Sequence, residues 1–170
     1  MKRLVFIFMA LSALSMSACQ GSGASEKQGE QTSSQQASIQ GKGDDGKATI
    51  QLNKETFKEK VADYENSDTW NFKGDKPCLV DFYADWCAPC RVTSPILEDL
   101  AREYKGKINV YKVDVDKHRD LAAAFGVRGI PSFLYCPVEG NPTMTSGIGG
   151  TREETRQMFE KQIEKLLLEE

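Results

Sequence analysis

A nearly unbroken apolar run, CLVDFYA at 78–84, is followed within a few residues by a stretch carrying Val92, Ile96, Leu97, Leu100, Ala101 and Tyr104 at helical spacing. This juxtaposition constrains the fold more than any other feature of the chain. A strand without a polar face must be covered on both sides, which calls for helices above and below one sheet. Flanking segments supply the remaining layers. Residues 49–52 predict a short strand, and Asn53 caps a predicted helix with Phe57, Val61 and Tyr64 on one face. After a polar stretch with Trp70, Phe72 and Gly74, the run INVYKVDV predicts another strand, and 121–125 a short helix ending at Gly126. Strands at 132–138 and 143–146 flank the turn Glu139-Gly140-Asn141-Pro142. Thr151 and Glu154 have capping-box spacing and open a helix that turns Phe159, Ile163, Leu166 and Leu167 inward. The plan is α/β with one central sheet, and 48–170 is one domain's worth of chain.

The N-terminal third reads differently. Lys2 and Arg3 precede the apolar run LVFIFMALSALSM and then Ser17-Ala18-Cys19. The run is shorter than the roughly 20 apolar residues of a spanning helix, so 1–18 reads as a secretory signal. Met16-Ser17-Ala18-Cys19 resembles a bacterial lipobox, which makes Cys19 the lipidated first residue of the mature chain. Residues 19–47 are rich in Gly, Ser and Gln, with Ile39 as the one large aliphatic residue, and predict a flexible tether. The net charge of −3 becomes −5 once Lys2 and Arg3 leave with the signal, which argues against nucleic acid as a partner.

Cys87 and Cys90 stand two residues apart, directly after the apolar run and at the start of the helix. A zinc site needs four ligands, and the domain adds only Cys78, Cys136 and His118, at no finger spacing. A structural disulfide closing so short a loop would constrain the unfolded chain little. Redox chemistry fits better, because the unpaired N–H groups and dipole of a helix start favour a thiolate, the nucleophilic form of cysteine.

From about residue 48 to 168 the chain resembles the thioredoxin family. The resemblance is carried most tightly by LVDFYADWCAPCRVTSPILEDLAREYKGKINVYKVDVD and by FGVRGIPS. It implies a thioredoxin fold, a central mixed sheet flanked by four helices, and reversible dithiol-disulfide exchange without a cofactor or metal. Carried over by the resemblance, Cys87 is the attacking thiolate and Cys90 the resolving thiol. Asp81 is the buried carboxyl that moves the proton of Cys90, and Lys112 is its partner. Ile130-Pro131 is the cis-proline loop set against the cysteines, and substrate is met by Trp86, Ala88, Pro89, Ile130, Pro131 and Gly149. Gly126 and Gly129 match tight loops, and Pro95 matches a helix kink. A carboxyl inside CLVDFYA is expensive to bury, so its presence there needs a reason. His118 receives no role.

Three departures stand out: Ala88 replaces a usual glycine, Tyr83 a common tryptophan, and the segments around Trp70 and Gly140-Asn141-Pro142 are longer. In the family plan the strands bearing Cys78 and Cys136 are antiparallel neighbours, so the two cysteines should lie opposite each other, as buried thiols in the leading reading and as a second bridge in the alternative. The leading expectation is a monomeric, lipid-anchored oxidoreductase on the periplasmic side of a bacterial envelope. It would reduce or isomerise disulfides of exported proteins with electrons from a membrane thiol donor. A net dithiol oxidant and a non-catalytic binding module are the alternatives.

Overall fold

The computed structural model describes residues 46–66 and 69–169. The predicted signal 1–18, Cys19 and all but the end of the tether therefore lie outside the described residues. Five strands form one sheet in the order β1-β3-β2-β4-β5, with β1 at Ile50–Gln51, β2 at Cys78–Tyr83, β3 at Asn109–Asp114, β4 at Ser132–Cys136 and β5 at Thr143–Ser146. β1, β3 and β2 run parallel; β4 and β5 are antiparallel to their neighbours. The sheet is mixed, as expected. Helices α1 (Lys54–Lys60), α2 (Ala88–Glu103), α3 (Arg119–Ala124) and α4 (Arg152–Ile163) cover it.

Alternation along β2 sorts the core into two layers. Cys78, Val80 and Phe82 pack with Phe57 and Val61 of the α1 region and Leu121 and Ala122 of α3. Leu79 packs on the other side with Ile96, Leu97 and Leu100 of α2 and Phe159 and Ile163 of α4. That both faces are dry explains why β2 carries no regular polar alternation. Asp81 shares the α2 side by the same period of two.

The local signals hold, with small shifts at the ends. Asn53 caps α1 through a reciprocal pair with Thr56, and Thr151 caps α4 with Glu154 in the same manner. Tyr64 was expected within the first helix, but α1 ends at Lys60 and Tyr64 lies beyond it. Its ring still packs edge-on to Phe57, centroids 5.8 Å apart, because the chain doubles back and Glu65 bridges Lys54 and Lys58. β1 is shorter than expected, since Ala48 and Thr49 bond the Glu98 carboxylate of α2 instead of extending the sheet edge. Val92, expected inward, is 40 % exposed. The buried stripe of α2 runs through Thr93, Ile96, Leu97 and Leu100, and the residue just before Thr93 is turned by about 100° toward water. After Ile163 the last helix closes in a π turn over Glu164–Leu168 that keeps Leu167 buried.

The longer segment before β2 lays Trp70 and Phe72 in a stacked pair, centroids 6.4 Å apart, against the α1–α3 core. Cys78 and Cys136 are register partners across β2 and β4, both fully buried and both thiols. They belong to the α1–α3 layer, whereas Asp81 faces the opposite one. Burial pushes the Cys136 thiol pKa upward, so it stays protonated.

Candidate active site

β2 delivers the chain to the top of the sheet, where Ala84 accepts a hydrogen bond from the Cys87 amide at 3.1 Å and the backbone turns into α2. Cys87 is the N-cap: its φ of −74° and ψ of 109° are extended, and its sulfur accepts the Cys90 amide at 3.2 Å. A sulfur therefore occupies the position where a capping oxygen normally sits, facing the unpaired amides of the first turn. Pro89 falls in that first turn, where its missing N–H removes no helix bond. Cys87 and Cys90 are joined in a disulfide with Cα atoms 5.2 Å apart. Both are 3 % exposed, in a small apolar cluster with Ala84 that Tyr83, Val115 and Ile130 flank.

Around the pair the surface is largely apolar. The Ile130-Pro131 bond is cis, as expected. Beside it runs an open groove of about 480 Å³ whose lining includes Pro89, Val127, Arg128, Ile130, Pro131 and Ile148. Ala88 is exposed at the helix start. Trp86 is 68 % exposed, and its indole N–H donates to Asp116 Oδ2 at 2.7 Å, which pins a large apolar ring beside the cysteines. Arg91 donates to the carbonyls of Asp85 and Trp86 at 3.3 Å and so braces the same turn. Pro95 lies inside α2. Gly149 borders the groove without lining it: a Cβ there would come within 2.8 Å of the Thr155 amide and of Glu154 Cβ, so packing against α4 accounts for its lack of a side chain. At Gly129 an added Cβ would meet nothing within 4 Å.

A buried ion pair lies between β2 and β3 on the side of the sheet that α2 covers. Asp81 is fully buried, which excludes a water-facing position, and its Oδ2 accepts from Lys112 Nζ at 3.0 Å. Asp81 and Lys112 are register partners on adjacent parallel strands, so one side chain starts directly beside the other. The second carboxylate oxygen, Oδ1, has no partner among the described residues. Burial raises the Asp81 pKa above the ordinary carboxylate range, and the Lys112 charge and hydrogen bond pull it down only in part. Lys112 also donates to Ser94 Oγ at 2.8 Å and stands 4.3 Å from the centre of the Tyr83 ring.

Sequence reasoning passed over Ser94, Asp116 and Arg128. For Ser94 a signal was present: it follows Cys90 by one helical turn and so shares its face of α2. For Asp116 and Arg128, which come from loops, spacing held no comparable signal.

The thioredoxin family model matches residues 48–165. A thioredoxin of Borreliella burgdorferi is 47 % identical over 98 residues, 58 % of this chain and 84 % of that protein. Thioredoxin 1 of Nostoc sp. is 39 % identical over 87 residues, 51 % of this chain and 72 % of its own. A Pseudomonas aeruginosa thioredoxin is 45 % identical over 62 residues, covering 36 % and 57 %. A cysteine pair at a helix start, a cis-proline loop beside it, a mixed sheet with four helices and a family match over residues 48–165 converge on one conclusion: the chain belongs to the thioredoxin family and is a thiol-disulfide oxidoreductase.

Proposed function

We propose that this protein reduces or isomerises disulfides of exported proteins from a membrane-anchored position on the periplasmic side of a bacterial envelope. In the reduced form Cys87 attacks a substrate disulfide as a thiolate. One substrate sulfur joins Cys87 in a mixed disulfide and the other leaves as a thiol after taking up a proton. Cys90 then gives its proton to Asp81 and attacks the Cys87 sulfur, breaking its bond to the substrate; the second substrate sulfur leaves as a thiolate that takes up that proton, and the Cys87–Cys90 disulfide remains. Two electrons have passed to the substrate, and a dithiol donor must return them. The observation that carries this reading is the disulfide-forming pair whose first sulfur caps α2, together with a fully buried carboxyl, Asp81, on the strand that leads into it.

The groove beside Pro131 suits an extended segment flanking a substrate cysteine, held mainly by apolar walls, with Arg128 among the lining residues. The envelope location rests on the apolar run behind Lys2 and Arg3, and the anchor on Cys19 in its lipobox-like setting. Electrons would then come from a thiol donor in the membrane.

The test is reduction of a model protein disulfide by the purified protein with a dithiol donor. Wild type is expected to turn over, Cys87→Ala to lose all activity, and Cys90→Ser to accumulate mixed disulfides with exported proteins in cells. Activity that survives Cys87→Ala would overturn the mechanism; trapped partners that are all cytoplasmic would overturn the location.

A further inference from the structure

The Lys112 ammonium has three N–H donors. One points to Asp81 Oδ2 at 3.0 Å, one to Ser94 Oγ at 2.8 Å, and the remaining side of the group lies against the Tyr83 ring, 4.3 Å from its centre. The Lys112 side chain is 7 % exposed, so water cannot readily replace a partner that is removed. We propose that Ser94 is a positioning residue: its hydroxyl, one turn beyond Cys90, holds the Lys112 ammonium against Asp81, so that the helix bearing the resolving thiol also sets the charge felt by the carboxyl behind it.

The inference rests on the reading of Asp81 as proton carrier for its relevance to turnover, though not for its geometry. Asp81 Oδ1 has no partner among the described residues, so the charge on Asp81 depends on where Lys112 stands. Deleting the Ser94 hydroxyl leaves a buried N–H unpaired. The ammonium then moves outward or sheds a proton, and either response weakens the positive charge beside the carboxylate. The Asp81 pKa rises as a result.

Other groups on this face do not substitute for Lys112: Asp114, two positions further along β3, is an anion paired with Lys117 Nζ at 2.7 Å. Tyr83 on β2 and Tyr135 on β4 are neutral at working pH, since burial raises both phenols, and Cys90 on α2 is the proton's source. The buried residues of α4, Thr155, Phe159 and Ile163, carry no ionisable group. Tyr83 supplies a ring face rather than a charge, so the Lys112 cage has a wall from β2, a carboxylate from the same strand and a hydroxyl from α2.

The experiment is a carbon-13 carboxyl NMR titration of Asp81 in the full-length protein, oxidised and reduced, paired with the pH profile of disulfide reduction. Ser94→Ala is expected to raise the Asp81 midpoint by about half a pH unit or more. Ser94→Thr, which keeps the hydroxyl, and Tyr83→Phe, which keeps the ring, are expected to stay at the wild-type midpoint. An unmoved midpoint in folded Ser94→Ala, or a Ser94→Thr midpoint displaced as far as that of Ser94→Ala, would overturn the proposal. A midpoint that moves while the rate profile stays put supports Ser94 as the holder of Lys112 and overturns Asp81 as the proton carrier, so the two readings fail separately.

Discussion

Asp81 and Lys112 meet from adjacent parallel strands, and neither is exposed enough for water to do the work of the other. Because the folded state raises the Asp81 pKa above its unfolded value, the folded protein holds a proton that the unfolded chain has released. Stability on this account is greatest below the ordinary carboxylate range and falls as pH rises through the Asp81 midpoint. Asp81→Asn removes that slope, and the amide oxygen can still accept from Lys112. The variant is therefore expected to be at least as stable as wild type at neutral pH, with the difference vanishing in acid, as urea midpoints measured at both pH values would reveal. Turnover should drop by about a hundredfold or more, because a positioned proton acceptor is lost. Equal rates for variant and wild type between pH 6 and 9 would remove Asp81 from the proposed mechanism.

At the scale of elements, the functional end of the sheet is shaped by how helices begin. α2 starts on a cysteine sulfur, and α4 starts on the Thr151–Glu154 capping box two residues after Gly149. Thr151→Ala is expected to lower stability by about 1 kcal/mol, the usual effect of losing an N-cap oxygen. Gly149→Ala forces a Cβ into the first turn of α4 and is expected to lower stability by about 1–3 kcal/mol. If Gly149→Ala instead left the urea midpoint unchanged and weakened substrate binding, the glycine would belong to the substrate surface. The pairing of β2 with β4 makes a separate expectation. Native protein carrying Cys87→Ser and Cys90→Ser should not be alkylated at Cys78 or Cys136, and unfolding should expose both thiols. A zero count after unfolding without reductant would mean that the two are bridged.

For the molecule as a whole, the folded domain carries the redox site, and in the function proposed above the N-terminal segment carries the address. Cys19→Ala is expected to move the protein from the membrane fraction to the soluble one while leaving disulfide reduction in solution unchanged, since Cys19 lies far along the chain from the site. Mass spectrometry that finds Cys19 unmodified in the mature protein would refute lipidation.

Short-range patterns in the sequence were sufficient to read most of the elements. Period-two and period-3.6 spacing, Asn53 and Thr151 as caps, and Gly126, with φ of +66° just past α3, each act through neighbours a few residues apart. The cysteine pair at a helix start was legible for the same reason, and the cis Ile130-Pro131 bond and the Asp81–Lys112 pairing were anticipated through family resemblance. What the tertiary structure alone decided is which distant side chains share one dry volume. Lys112 stands 31 residues from Asp81, and it was as readily a solvent-facing strand lysine until β2 and β3 set their register. Ser94 and Asp116 drew no reading from the sequence, and Val92 was placed in the buried stripe. Their actual places depend on the rotation of α2 against the sheet and on where the loops after β3 come to rest. Those are settled by packing both faces of β2 at once, a global condition that no local window of sequence contains.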